Sequence, residues 1–359
     1  MITCTDTDKT YRTKIRYYIM TPIFTSLGLF IIDENHYPRS WKRETEYNII
    51  GGGVSYAVIG GRIASGPNLA KGICGIVDKG TDFPPEIEEE INEWGTGIVF
   101  RSDSSRLTTR GANIYDEKGI RNFVYRAPKK RIEAHDILIT SNLIELKSFH
   151  FCCAVDRCEE TIDLFTSEAM KGGRPKPLYI FEPFPDVCIP DNFEQLARML
   201  HKVDIFSPNL HEAASFAGLD NDPETEEAIK ELASLFLKHC SQTGGVVIRC
   251  GHMGSFIMTH DFSIMLPAYH NNQAKVKDVT GGGNSYCGAF VTTLALSGNW
   301  LLAGVLANIA SGIVVERLGV PKLENELWNG TSVKDRLDFY IANNSHLFKD
   351  PVGTKIDWL

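Results

Sequence analysis

The residues best suited to chemistry in this chain form one short run, Asp278-Val-Thr-Gly281-Gly282-Gly283-Asn284, directly ahead of a long uncharged stretch. Glycines let backbone N–H groups turn toward a ligand and approach it closely. A helix starting there adds unpaired N–H groups and the positive end of its dipole. The combination suits a phosphate or a developing phosphoryl charge, with Gly281, Gly282 and Gly283 as the anion hole. A tight turn accounts for three glycines equally well. The run is not a Walker A loop, because no Gly-Lys-Ser/Thr follows.

Other candidates fall where apolar runs end. FTSLGLFII, read as one strand from Phe24 to Ile32, ends at Asp33. Ile50 leads into Gly51-Gly52-Gly53 and a helix. Asp204-Ile205-Phe206 ends in Ser207-Pro208-Asn209, with Glu212 close behind, and VVIRC (246–250) leads to Gly251 and Gly254. In open α/β sheets ligands bind beyond the carboxyl ends of the strands, so such segments can converge. His150, Cys152, Cys153 and Cys158 cluster without a standard zinc spacing, and no structural metal is expected. Cys287 reads either as a thiol with a lowered pKa or as a buried, inert one. Lys171 to Pro177 (KGGRPKP) reads as a solvated basic loop.

Taken in order, these segments resemble the ribokinase-like (PfkB-type) carbohydrate kinase family, whose signature is Asp-Thr-x-Gly-Ala-Gly-Asp. LGLFIIDEN resembles its first strand, IIGGGVSYAVIGGRIA its Gly-Gly substrate motif, DIFSPNLHEA its Asn-x-x-Glu motif, VVIRCGHMGSFI its strand-Gly-x-x-Gly hairpin and ANIASGIVVERLG its closing helix. The resemblance spans roughly residues 23–320. It implies that Asp33, Gly51, Gly52, Gly53 and Tyr56 line the substrate site. It implies that Asn209, Glu212, Gly251, Gly254, Asp278 and Asn308 line the nucleotide site, with Glu212 an indirect Mg²⁺ ligand, and that ATP and Mg²⁺ are the cofactors. The Glu182-Pro183-Phe184-Pro185 run resembles a family loop near the substrate, although its prolines can equally serve to stiffen a turn. Among fungal relatives, the Gly-rich motifs and TTRGANIY resemble the maintenance-of-killer branch.

Two positions depart from the family. Active relatives carry an aspartate where this chain has Asn284, and that aspartate takes the proton of the attacking hydroxyl. An amide oxygen is not basic enough to do so. Losing a general base costs typically 10²–10⁴-fold, roughly 3–5 kcal/mol of barrier. Tyr56 stands where the family commonly has asparagine, either to stack on a substrate ring or as core. Asp278 could serve as a substitute base or simply open the anion loop. Two readings follow: a degenerate kinase that binds nucleotide or phosphate and acts on a protein partner, or a working ATP-dependent kinase of a sugar or nucleoside.

The elements that must position these residues follow a βα rhythm. It predicts an α/β fold, in family terms a ribokinase-like three-layer α/β/α core with a mostly parallel sheet and a small β lid. Strands are expected at Gly97 to Phe100, Ile137 to Ile139, Leu178 to Phe181 and 246–250, and a hairpin over 255–266. Helices are expected at 86–94, after an Asp191 cap, and from Asp222. Residues 101–135, rich in turns, suit the lid, and there Arg106 and Arg110 either close on a phosphate or are solvated. The division is an arm at 1–22, the kinase-like domain at 23–325 and an extension at 326–359.

Composition narrows the function classes. Apolar residues at 43% and charged ones at 23% exclude global disorder. A balance of 37 basic against 45 acidic residues disfavours general nucleic-acid binding. The chain has no charge from Gly281 to Val315, but Ser297-Gly298-Asn299 splits that stretch, so two buried helices are expected and no membrane span. Nine scattered cysteines and no signal-like N-terminus point to a reducing cytoplasmic setting, also compatible with the nucleus. The resemblance adds an expectation of homodimers paired through their lids.

Overall fold

In the computed structural model the described residues are 22–348 apart from 119, 141, 142 and 144, together with 356, 358 and 359. The arm expected over 1–22 lies outside them but for its last residue, as do 349–355 and 357 of the extension.

Alternation within the strands decides the layering. In Leu178–Pro183 the side chains of Tyr179 and Phe181 enter one buried cluster, while Ile180 enters the other. Gly245–Arg249 divides the same way, with Val246 and Ile248 against Val247. A strand apolar on both faces must be covered on both. One cover is Gly53–Ser65, Gly282–Ser297 and Trp300–Val314. The other is Val155–Lys171, Phe193–Met199, Leu210–Phe216 and Glu226–Leu237.

The covered sheet has seven strands. Phe24–Ser26, Ser148–Cys153, Leu178–Pro183, Ile205–Phe206 and Gly245–Arg249 are parallel, and Ser255–Thr259 and Ser263–Leu266 close the edge as an antiparallel hairpin. The parallel pair Cys74–Lys79 and Gly97–Ser102 adjoins the first strand through a bridge from Phe24 to Ile73. A separate four-stranded sheet forms the lid, in the order Glu46–Gly51, Ile31–His36, Arg110–Tyr115, Arg121–Tyr125. The ribokinase-like three-layer fold is therefore present, with a mostly parallel core sheet and a small β lid.

Several local expectations need correction. The apolar run at Phe24 to Ile32 is two strands in two sheets, broken at Leu27–Phe30. Its break passes so close to the next helix that a Cβ on Gly28 would lie 2.7 Å from Gly53. Asp33 is consequently inside a lid strand and not at the end of a core strand. The lid also draws on residues 31–51, while 101–102 still belong to the core-side pair. Ile137 to Ile139 is helical, within Ala134–Ile139, because Glu133 and Asp136 form a capping box around its first turn. Asp191 caps nothing, since Asn192 precedes the helix without a side-chain cap. The helix expected from Asp222 starts at Glu226, where Thr225 accepts the Ala228 N–H. Ser148–Cys153 is a strand the sequence reading missed.

The uncharged stretch is two buried helices, with Asn299 capping the second by accepting the Leu302 N–H at 3.0 Å. Among the described residues, no helix is long and apolar enough to cross a membrane. The described part of the extension packs on the core: Trp328 and Tyr340 are each 1% exposed, and Val333–Asn343 lies against the preceding helix.

Candidate functional site

The site assembles where the lid, the glycine run and the ends of three core strands meet. Helix Gly282–Ser297 begins at Gly281, whose φ of 78° is the left-handed region that favours glycine. The face of the Tyr56 ring lies against this glycine, and a Cβ there would run into the ring. Tyr56 is 2% exposed and its hydroxyl reaches the Ile50 carbonyl at 3.4 Å. It is core, and it forms the floor of the anion loop. Asp278 opens that loop, accepting the Thr280 N–H at 2.9 Å. At Gly283 a Cβ would overlap Nη1 of Arg249, so a side chain there would displace the guanidinium.

Of the substrate-motif residues, Tyr56 and Gly53 reach the glycine run, and Asp33 lies in the adjoining lid strand. Asp33, buried in its lid strand, has its carboxylate against Gly51 and Gly111. Gly52 precedes helix Gly53–Ser65, and Gly53 adjoins the Asn284 amide, 3.6 Å from where its Cβ would stand. On the other side of the loop lies a cavity of about 230 Å³. Asn209, Gly251, Gly254, Asn308, Gly282 and Gly283 line it, with Arg249. Asn308 is held there by bonds from its amide to Ser255 Oγ at 2.9 Å and to the Gly304 carbonyl at 3.1 Å. Asn209 and Glu212 bond each other's backbone in a capping box, at 2.8 and 2.7 Å.

Beneath the loop is a buried ionic cluster that the sequence reading did not assemble. Glu182, at the end of its strand, accepts from His150 Nε2 at 2.8 Å and from Asn284 Nδ2 at 2.8 Å. Its other oxygen pairs with Arg249 Nη1 at 2.8 Å. Arg249 also reaches the Ser207 carbonyl at 3.2 Å and Glu212 at 3.4 Å. Burial alone would push the Glu182 carboxyl up, but Arg249 and the bonds from His150 and Asn284 outweigh it and hold it down at about 2. Burial likewise works against the Arg249 charge, and Glu182 and Glu212 more than restore it. For Glu212 burial wins, and its carboxyl sits above the ordinary range despite Arg249. A signal for the cluster was available: one histidine, one glutamate and one arginine stand in the otherwise uncharged strands SFHFCC, LYIFEP and GVVIR. Charged residues are almost never fully buried unless paired.

Other sequence candidates are not brought to the site. Arg106 is tied to Thr109 and the Pro128 carbonyl, and Arg110 to Asp82 and Asn48. Neither closes on the anion loop. Cys287 is fully buried, and burial pushes its thiol up, so the lowered-pKa reading fails. Cys153 and Cys158 enter the far core cluster, away from His150. His150, Glu182 and Cys287 do offer ligand atoms within 4.8 Å of one another. The set does not fit a metal: Glu182 is already neutralised by Arg249, and the neighbouring thiol resists ionisation.

Comparison with known proteins agrees with this fold. The pfkB family carbohydrate kinase pattern matches residues 121–325. Protein MAK32 of Saccharomyces cerevisiae is 37% identical over 335 residues, covering 88% of this chain and 91% of that protein. An uncharacterized protein of Schizosaccharomyces pombe is 36% identical over 342 residues, covering 88% and 92%. Ribokinase from Giardia lamblia superposes with a TM-score of 0.64 at 17% identity, over 90% of this chain and 99% of that one. A putative ribokinase II from E. coli, solved with ATP and Mg²⁺, superposes at 0.63 and 16%, over 90% and 100%. Adenosine kinase from Anopheles gambiae superposes at 0.62 and 16%, over 83% and 96%. At such identities these structures speak to the fold alone. The chain belongs to the pfkB family of carbohydrate kinases, in its fungal maintenance-of-killer branch.

Proposed function

We propose that this protein is a divergent pfkB-type kinase that binds ATP or a related phosphate ligand but transfers the phosphoryl group slowly or not at all, and acts mainly by binding a partner protein. The observation that carries this reading is Asn284. At the start of the anion-loop helix, where the family signature has its base, stands an amide that donates to Glu182. An amide can align an acceptor hydroxyl but cannot take its proton.

The donor set fits a nucleotide. Gly282 and Gly283 line the cavity, and the Gly283 and Asn284 N–H groups have no intrahelical acceptor, while that of Gly282 goes to the Val279 carbonyl at 3.2 Å. Gly251, Gly254 and Asn308 would flank the base, and Asn209 the phosphates, with Glu212 holding Mg²⁺ through water. Bound ATP supplies the transferable phosphoryl group and Mg²⁺ offsets its charge. Asp33, Gly51, Gly52 and Gly53 would hold a sugar or nucleoside hydroxyl.

The approach of Gly53 to the Asn284 amide also favours a second reading, an active sugar or nucleoside kinase with low turnover. In either case we place the protein in the cytoplasm or nucleus, and expect homodimers joined through the lid.

Calorimetric titration with ATP–Mg²⁺ tests the binding claim, using wild type and a Gly283→Val variant whose side chain would displace the loop from Arg249. Wild type should give a saturable isotherm that the variant weakens at least tenfold. An absence of binding by wild type would overturn the proposal.

A further inference from the structure

The hydrogen bonds around Glu182 run in one direction. The Gly28 N–H donates to Ser26 Oγ at 3.0 Å, and Ser26 Oγ meets His150 Nδ1 at 2.9 Å. With its oxygen accepting from Gly28, the Ser26 hydroxyl has its proton to give to Nδ1. His150 Nε2 then carries the hydrogen that goes to Glu182, and one imidazole tautomer satisfies both contacts. Glu182 ends the chain as an ionised acceptor, with Arg249 on its second oxygen. A carboxylate only accepts, so the group that Asn284 turns toward it must be the amide NH₂. The amide oxygen is thereby turned away from Glu182.

We infer that Glu182 carries the negative charge of this site and acts through Asn284 as a positioning residue, fixing the amide with its neutral oxygen available to an acceptor hydroxyl. Residue 284 cannot be an ionised carboxylate while Glu182 stands behind it. Two carboxylates 2.8 Å apart would have to share one proton. The charge is one step further inside than the family signature places it, where Arg249 neutralises it and His150 donates to it. Asn284 is therefore part of a matched pair, and restoring aspartate there alone does not restore a base. The role toward an acceptor hydroxyl rests on the function proposed above, whereas the charge placement rests on the contacts alone.

The test is a set of thermal melts of the full chain from pH 5 to pH 8, for wild type, Asn284→Asp, Asn284→Ala, Glu182→Gln and the double exchange Glu182→Gln/Asn284→Asp. In Asn284→Asp the shared carboxyl pair has a raised folded-state pKa. Its proton-dependent stability is present at low pH and lost as pH rises through that value. The variant should therefore lose about 3 °C or more in Tm, relative to wild type, between pH 5 and pH 8. Asn284→Ala removes the amide without adding charge, and its deficit should not change with pH. The double exchange swaps amide and carboxylate, and should melt above the value expected from adding the two single effects. The inference is overturned if Asn284→Asp is no more pH-sensitive than Asn284→Ala, or if the two single effects simply add. Failure of wild type to bind ATP–Mg²⁺ would instead remove the hydroxyl-positioning role and leave the melts to decide the charge placement.

Discussion

Removing the Arg249 charge is the sharpest structural perturbation available. Arg249, Glu182 and Glu212 have side-chain exposures of 12%, 9% and 6%, so neither water nor salt screens the group effectively. Arg249→Met keeps the volume and deletes the guanidinium, leaving two carboxylates within one buried site. Breaking a buried pair by removing one partner costs about 3–5 kcal/mol. An unfolding entropy of about 2.1 cal/mol/K per residue, taken over 359 residues, converts this to a fall of about 4–7 °C in Tm near neutral pH.

The sign of the pH dependence follows from Glu182. In wild type its folded pKa is depressed to about 2, so its contribution is present above the unfolded value of about 4.3 and lost as pH falls toward 2. Without Arg249 burial raises that pKa above the unfolded value, and the variant recovers as pH falls. The gap between wild type and Arg249→Met should narrow from pH 8 to pH 5. Calorimetric melts at both pH values check this, with Arg249→Lys retaining part of the stability. A deficit below about 1 °C at pH 8, or one that widens toward pH 5, would refute the assignment of this cluster as a charge-balanced unit.

Two further outcomes can be measured in the same way. Gly281→Ala must hold a side chain at φ 78° against the Tyr56 ring, and should cost about 2–4 kcal/mol by chemical denaturation; a change under about 0.5 kcal/mol would contradict the described loop packing. Burial pushes Glu316 up, but His270, Arg336 and Asn329 hold it at about 2, so its contribution is lost as pH falls from about 4.5 toward 2. Glu316→Gln should therefore flatten the acid limb of the stability curve, and an unchanged limb would count against that pairing.

Much of the frame was legible because its signals are local. Glycine runs, turn residues and doubly apolar strands each announce themselves within a few positions, and the two-helix reading of the uncharged stretch followed from Ser297-Gly298-Asn299. Some misreadings were of local caps, as at Glu133 and Thr225, and one came where tertiary contact overrides local pattern. Leu27 to Phe30 is as apolar as a strand, yet the packing of Gly28 on Gly53 breaks it and hands Asp33 to the lid. The ionic cluster was hidden for a different reason. Glu182 lies 32 positions from His150 and 102 from Asn284, so no spacing rule could join them, and only the oddity of lone charges inside apolar strands pointed that way. Tyr56 gave no hint of its role, since stacking on a ligand and flooring a loop demand the same side chain.

The most direct measurement is ADP production by the wild-type chain at saturating ATP–Mg²⁺ across a panel of sugars and nucleosides. Kinases typically turn over at about 1–100 s⁻¹, and loss of the base lowers this by roughly 10²–10⁴. With a neutral amide at 284 in place of a base, every substrate should stay below about 1 s⁻¹ while nucleotide binding persists. Turnover of several events per second on any one of them would contradict the account.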